Sequence, residues 1–183
     1  MKYHNNPPNA ASLLSSLRDI GYNIETAIED LIDNSITAES TLIKIRMIWN
    51  EGEPWVAILD NGKGMSSSEL IQAMKLGSMS PLEERDKNDL GRFGLGLKTA
   101  SFSQCKQLTV LTFNKGKNSA AEMDLDEVEK NNDKGFRVGI LNSKDIGNIE
   151  QIREYYSEFI TSKQGSLVLW RKMDRVDEFD NIR

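Results

Sequence analysis

One cysteine and one histidine in 183 residues remove much soft-metal and nucleophilic chemistry at the outset. Cys105 alone can form neither an internal disulfide nor a cysteine-rich zinc site, so nothing demands an oxidising compartment. It reads as a small core residue. His4 alone excludes a histidine-rich metal site and makes a Ser-His-Asp triad an unattractive reading. No apolar run approaches the roughly 18 residues needed to cross a bilayer. Met1-Lys2-Tyr3-His4-Asn5-Asn6-Pro7-Pro8 has no hydrophobic signal core. A soluble, cytoplasmic chain without a membrane partner is expected. Positive charge is also short: 23 Lys and Arg against 28 Asp and Glu give a net charge of -5. That balance argues against a dedicated nucleic-acid surface, which is usually basic. Repeats, low-complexity stretches and a clear interdomain linker are absent too, and the length suits one domain with a real core.

What is present alternates between helical and strand patterning. Residues 1–12 read as a polar, proline-bearing arm, with Asn9 or Ser12 capping a short helix to about residue 19. Leu13, Leu14 and Leu17 share a face of that helix. Ile24, Ala27, Ile28, Leu31 and Ile32 recur at helical spacing over 24–38. Residues 42–49 and 55–59 read as a hairpin of strands, and 69–76 as a helix capped from Ser66–Ser68. A polar, charged stretch over 77–89 has the character of a lid. Beyond it the pattern predicts a helix to about 103, strands over 107–113, 120–128 and 137–141, an amphipathic helix over 149–162, and a last buried strand over 165–170. Ile152, Tyr155, Tyr156, Phe159 and Ile160 would face inward from that last helix.

Three stretches carry chemistry. On the first long helix, Asp30, Asp33, Asn34 and Thr37 stand at i, i+3, i+4 and i+7 and share the face opposite the apolar one. Short oxygen-bearing side chains are mediocre helix formers, and such a face suits a hard cation such as Mg²⁺ and a polarised water. Asp60-Asn61-Gly62-Lys63-Gly64-Met65 follows a buried strand directly, an arrangement that can hold a carboxylate at the floor of a pocket to accept from a ligand amine. Gly91-Arg92-Phe93-Gly94-Leu95-Gly96-Leu97-Lys98-Thr99-Ala100 runs into a helix start. Backbone that approaches closely and helix-terminal amides together form a phosphate cradle. The pattern is neither a dinucleotide fingerprint nor a P-loop.

Asp30-x-x-x-Asn34, Asp60-x-Gly62-x-Gly64 and Gly91-x-x-Gly94-x-Gly96, in this order, resemble the motifs of the GHKL (Bergerat-fold) ATPases. Gly165-Ser166 before an apolar strand is similar to their fourth motif. The glycine segment most resembles MORC-like ATPases and their bacterial relatives. The resemblance covers about residues 24–170. It implies an α+β two-layer sandwich, a mixed, mainly antiparallel sheet covered on one face by helices. The ATP-binding domain would span 13–175, after the arm, with 176–183 a tail or the start of a downstream region.

The resemblance also implies roles. Asn34 would hold Mg²⁺, and Asp60 would accept the adenine amino proton. Gly62 and Gly64 would let the backbone pass the base, with Met65 packed near it. Gly91, Phe93, Gly94, Leu95 and Gly96 would belong to the phosphate cradle. Ser166 would assist at adenine, and Lys98 would neutralise the terminal phosphate, the alternative being an exposed helix lysine. Where hydrolytic members carry a Glu as base, this chain has Asp30. Glu29 is about 100° round the helix. Asp is one methylene shorter, and a misplacement of about 1 Å can cost on the order of 10²-fold. The expectation is ATP binding with slow hydrolysis, in an ATP-gated homodimerising clamp with a downstream effector region or partner protein. DNA contact would come through other parts of a longer protein. A histidine-kinase catalytic domain and a non-hydrolysing ATP sensor are the alternatives.

Overall fold

The computed structural model describes residues 1, 3–4, 9–19, 22–49, 52–76, 96–155 and 163–175. Its organising strand is β2, Trp55–Asp60, buried at all six positions. Alternation along it splits the core: Val56 and Ile58 enter one apolar cluster, Trp55, Ala57 and Leu59 the other. On one side β2 pairs with β1, Ile43–Ile48, in the expected hairpin. On the other it pairs with β6, Gly165–Met173, which is last along the chain. Next come β3, Cys105–Asn114, then β4, Lys117–Asp124, then the short β5, Gly139–Leu141. The order is β1-β2-β6-β3-β4-β5, and every pair is antiparallel.

Helices cover the Val56 face. They are α1, Ala10–Arg18; α2, Ile24–Thr37; α3, Ser67–Met74; α4, Gly96–Gln104; and α5, Leu125–Lys130. Asn23 caps α2 through Thr26 N, and Ile24, Ala27, Ile28 and Leu31 are buried as their spacing predicts. Ser66 forms a capping box with Glu69 at the start of α3. Cys105 is fully buried, and burial pushes its thiol far above the usual range. The opposite face also has a helical cover. Ile146 on α6, Ser143–Asn148, with Ile152 and Tyr155 from a helical stretch over 150–155, packs on Ala57, Leu111, Leu167 and Leu169.

Four local readings change. The strand expected over 120–128 stops at Asp124, whose carboxylate accepts from Asp126 N and caps α5. α6 was not expected; its signal is the Asn142-Ser-Lys-Asp145 capping box. β1 is the sheet edge, so Ile45 and Met47 are exposed rather than half-buried. On α1, Leu14 is buried while Leu13 is exposed. Tyr156, Phe159, Ile160 and the stretch 77–89 lie outside the described residues.

Two buried polar contacts bind α4 to its surroundings. Trp170 on β6 donates its indole N–H to Ser101 Oγ at 2.7 Å, with both residues fully buried. Lys98, 1% exposed, donates to the carbonyls of Ala73 at 2.8 Å and Lys75 at 2.7 Å. Those carbonyls end α3, where a cation also meets the negative end of the helix dipole. Burial nevertheless lowers the Lys98 ammonium to about 8. Ser101→Ala, which strands the indole N–H, is expected to lower unfolding free energy by about 1–3 kcal/mol in urea titrations. Between about pH 8 and 10.5 the unfolded chain holds the Lys98 proton more tightly than the native state. The wild type should therefore gain stability as pH rises through that window, and Lys98→Met should lose this gain in the same denaturation series.

Candidate functional site

Because β6 inserts between β2 and β3, the end of one strand and the start of another meet at the same level. Asp60 pairs with Ser166, and Ser166 with Thr112. Above this junction a cavity of about 600 Å³ opens toward the helices. Its walls include Asn34 and Ser35 from α2, Met65, Ala73 from α3, Gly96 and Leu97 from α4, and Val110 and Val168 from the sheet. An apolar slot with a few converging polar groups has the character of a small-molecule site.

Asp60 is the charged group at the floor, 8% exposed. Its Oδ1 accepts from Gly62 N at 2.8 Å and Ser166 N at 3.3 Å, and its Oδ2 faces the Ser35 hydroxyl at 3.4 Å. Burial raises the carboxyl above its ordinary value, and these donors pull it back. One oxygen is therefore engaged by backbone, while the other keeps acceptor capacity for a ligand. Ser35 and Thr112 are site residues that the motifs did not point to. Thr112 Oγ1 accepts from Met65 N at 2.8 Å and lies 3.2 Å from Ser166 Oγ. Ser35 had a signal: it extends the buried stripe Ile24, Ile28, Leu31 along α2, where a polar residue needs a reason.

The loop after Asp60 is held on three sides. Asn61 Oδ1 accepts from Thr41 N and Leu42 N, each at 2.9 Å, and Lys63 N donates to Ala38 O at 2.9 Å, which docks the loop on the end of α2. Gly64 has φ +63°, and a Cβ there would stand 1.9 Å from Phe113 O. Gly165, at φ +122°, would place one 2.1 Å from Asp60 O. These glycines serve close approach of backbone to backbone. Gly62 is similarly crowded by Ala38.

The expected residues divide by position. Asn34, Asp60, Gly64, Met65, Gly96 and Ser166 line the cavity, and Gly62 supports its floor. Asp30 lies one turn before Asn34, half-buried, and its Oδ2 is 3.7 Å from where a Gly96 Cβ would be. Gly96 thus borders both Asp30 and the cavity at the first turn of α4, whose N–H groups have no acceptor within the helix. Lys98 is the third residue of α4 and is directed at α3. Gly91, Phe93, Gly94 and Leu95 lie outside the described residues.

Residues 22–158 match the family described as histidine kinase-, DNA gyrase B-, and HSP90-like ATPase. A DNA mismatch repair protein MutL of Thermosipho melanesiensis is 32% identical over 96 residues, 51% of this chain and 17% of that protein. ATPase morc-1 of Caenorhabditis elegans is 28% identical over 87 residues, 48% of this chain and 10% of that one. The matches therefore take in a small part of either relative. No helix among the described residues is long and apolar enough to cross a membrane. With the family match covering three quarters of the chain and every cavity-lining residue except Ser166 and Val168, this chain belongs to the histidine kinase-, DNA gyrase B- and HSP90-like (GHKL) ATPases as an ATP-binding domain.

Proposed function

We propose that the cavity takes the adenine of ATP onto Asp60, that Asp30 serves slow hydrolysis, and that the domain works as an ATP-gated dimerisation clamp within a longer protein. The observation that carries this reading is the Asp60 carboxylate, buried at the cavity floor with backbone donors on Oδ1 and acceptor capacity on Oδ2. An exocyclic amine meets such an acceptor well, and the apolar walls from Val110, Val168 and Met65 suit a flat base. From there the phosphates would run toward Asn34 and the amides that begin α4, a terminus that favours anions.

Among the described residues no three His, Cys, Asp or Glu side chains gather to hold a metal. A single Asn34 oxygen beside a phosphate site fits Mg²⁺, which takes few protein ligands along with substrate phosphates and water. Bound there, the ion would neutralise phosphate charge. Asp30, whose Oδ2 lies near Gly96 at the start of α4, would orient and deprotonate an attacking water. Its short side chain supports slow turnover. For Lys98 to act on the terminal phosphate, its ammonium must leave the Ala73 and Lys75 carbonyls when nucleotide binds.

The clamp and homodimer rest on the family. A DNA-linked setting, through other parts of a longer protein, rests on the MutL relative's name. The net charge of -5 speaks against DNA contact by this domain itself. A carboxylate at the water-activating position favours hydrolysis over the histidine-kinase reading.

Calorimetric MgATP binding and steady-state turnover on four proteins test the assignment. Asp60→Asn keeps an Oδ1 for Gly62 and Ser166 but turns a donor toward the adenine amine, so binding should weaken about 10- to 150-fold. Asp30→Ala should bind as the wild type does and lose turnover on the order of 10²-fold or more. Lys98→Met should bind and turn over more slowly. Unchanged binding by Asp60→Asn would sink the adenine assignment. Binding without turnover by the wild type at high protein concentration would favour the sensor.

A further inference from the structure

Val110, Thr112 and Asn114 alternate along β3 and so share one face of it. Val110 is part of the cavity wall, and the two residues beyond it hold the loop that follows Asp60. Asn114 Nδ2 donates to Lys63 O at 3.0 Å and reaches Gly64 O at 3.4 Å, while Thr112 Oγ1 accepts from Met65 N at 2.8 Å. The same Thr112 hydroxyl lies 3.1 Å from Gly165 O and 3.2 Å from Ser166 Oγ on β6. Thr112 is fully buried, whereas Met65 and Ser166 line the cavity. One oxygen closed to solvent therefore meets both the loop and the strand that border the ligand space.

We propose that Thr112 is a positioning residue for the base, one that sets where Met65 and Ser166 stand without contacting the ligand itself. This rests on the reading of the cavity as the adenine site. A threonine has one stiff side-chain torsion, so a buried hydroxyl on it is a fixed point. One lone pair takes the Met65 amide, and the single proton goes either to Gly165 O or to Ser166 Oγ. With the proton on Gly165 O, Ser166 can give its own proton to Thr112. With it on Ser166 Oγ, Ser166 can turn its proton to a bound base and still keep a partner. All of the side-chain bonds described for Thr112 go to Met65, Gly165 and Ser166, and none to Asn34 or the start of α4. Its loss should fall on base binding and spare the phosphate end.

Thr112→Val keeps the shape of the side chain and removes the hydroxyl, and Thr112→Ser keeps the hydroxyl. By calorimetry, Kd for MgATP should rise about 5- to 30-fold in Thr112→Val, with kcat within about twofold of the wild type. Thr112→Ser should bind as the wild type does. The second arm needs no nucleotide: hydrogen exchange at the Met65 amide should be about 5- to 100-fold faster in Thr112→Val and near the wild-type rate in Thr112→Ser. Thr112→Cys, whose thiol is a weak acceptor, takes the place of Thr112→Val with the same expectations if the valine variant does not fold. Asp60→Asn is measured in parallel. If it binds MgATP as the wild type does, the adenine reading fails. If it loses binding while Thr112→Val keeps the wild-type Kd, the positioning role alone is overturned. Equal losses of affinity in Thr112→Ser and Thr112→Val, or a Met65 amide that Thr112→Val leaves unmoved, overturn it as well.

Discussion

The backbone contact between the loop after Asp60 and the first residue of β6 is the constraint on which the remaining site geometry depends. Gly165 lies so close to Asp60 O that no side chain fits, and Gly64 lies equally close to Phe113 O. That proximity brings Ser166 N to Asp60 Oδ1 and puts Met65 N on Thr112 Oγ1. Any displacement of the loop by an ångström would break several of these bonds together, because they share a few atoms. The carboxylate is consequently a rigid acceptor, although burial alone disfavours its charge. Tolerating such a charge at a cavity floor makes sense where a ligand supplies a further donor.

The same loop couples the Asp60 floor of the cavity to α2. Lys63 binds Ala38, the C-cap of α2, Asn61 binds Thr41 and Leu42 just beyond it, and α2 carries Asn34, Ser35 and Asp30. Asn34, Ser35 and Asp30 are therefore mounted on one helix, registered against the strand end that carries Asp60. Lys98 adds a tie of a different kind, since its two bonds fasten α4 to the last carbonyls of α3. A buried cation there is costly, and two carbonyls at a helix terminus offset part of that cost.

Much of this was legible because the informative residues are constrained locally. β2 and the Asp60 turn follow from an apolar run ending in Asp-x-Gly-x-Gly, and α2 from its 3.6-residue apolar period. The order of the sheet was not legible, because which distant strands pair is decided by tertiary packing rather than by local pattern. Lys98 shows where local reading stops: a lysine after a glycine segment predicts exposure or a phosphate, and its burial depends on where α3 happens to end. Thr112 shares a face of β3 with Val110, but threonine is an ordinary strand residue, so nothing local marks it as part of a site. α5 was missed because Asp124 ends a strand and caps a helix at once, and the Leu125, Val128 spacing is too short to declare a period.

The place of β6 in the sheet also has a consequence for how the domain comes into being. Two hairpins, β1-β2 and β3-β4, can each zip locally, but no backbone pairing joins one to the other. They are joined only when the final strand slides between them as a keystone. The Asp60–Ser166 pairing spans more than half the chain, and a contact between residues so far apart closes late and slowly. During synthesis the floor formed by Asp60 and Ser166 stays incomplete until β6 has emerged, so an early folding intermediate would expose β2 along the edge that β6 later covers. In this architecture, competence to bind nucleotide reports that the whole sheet has been assembled.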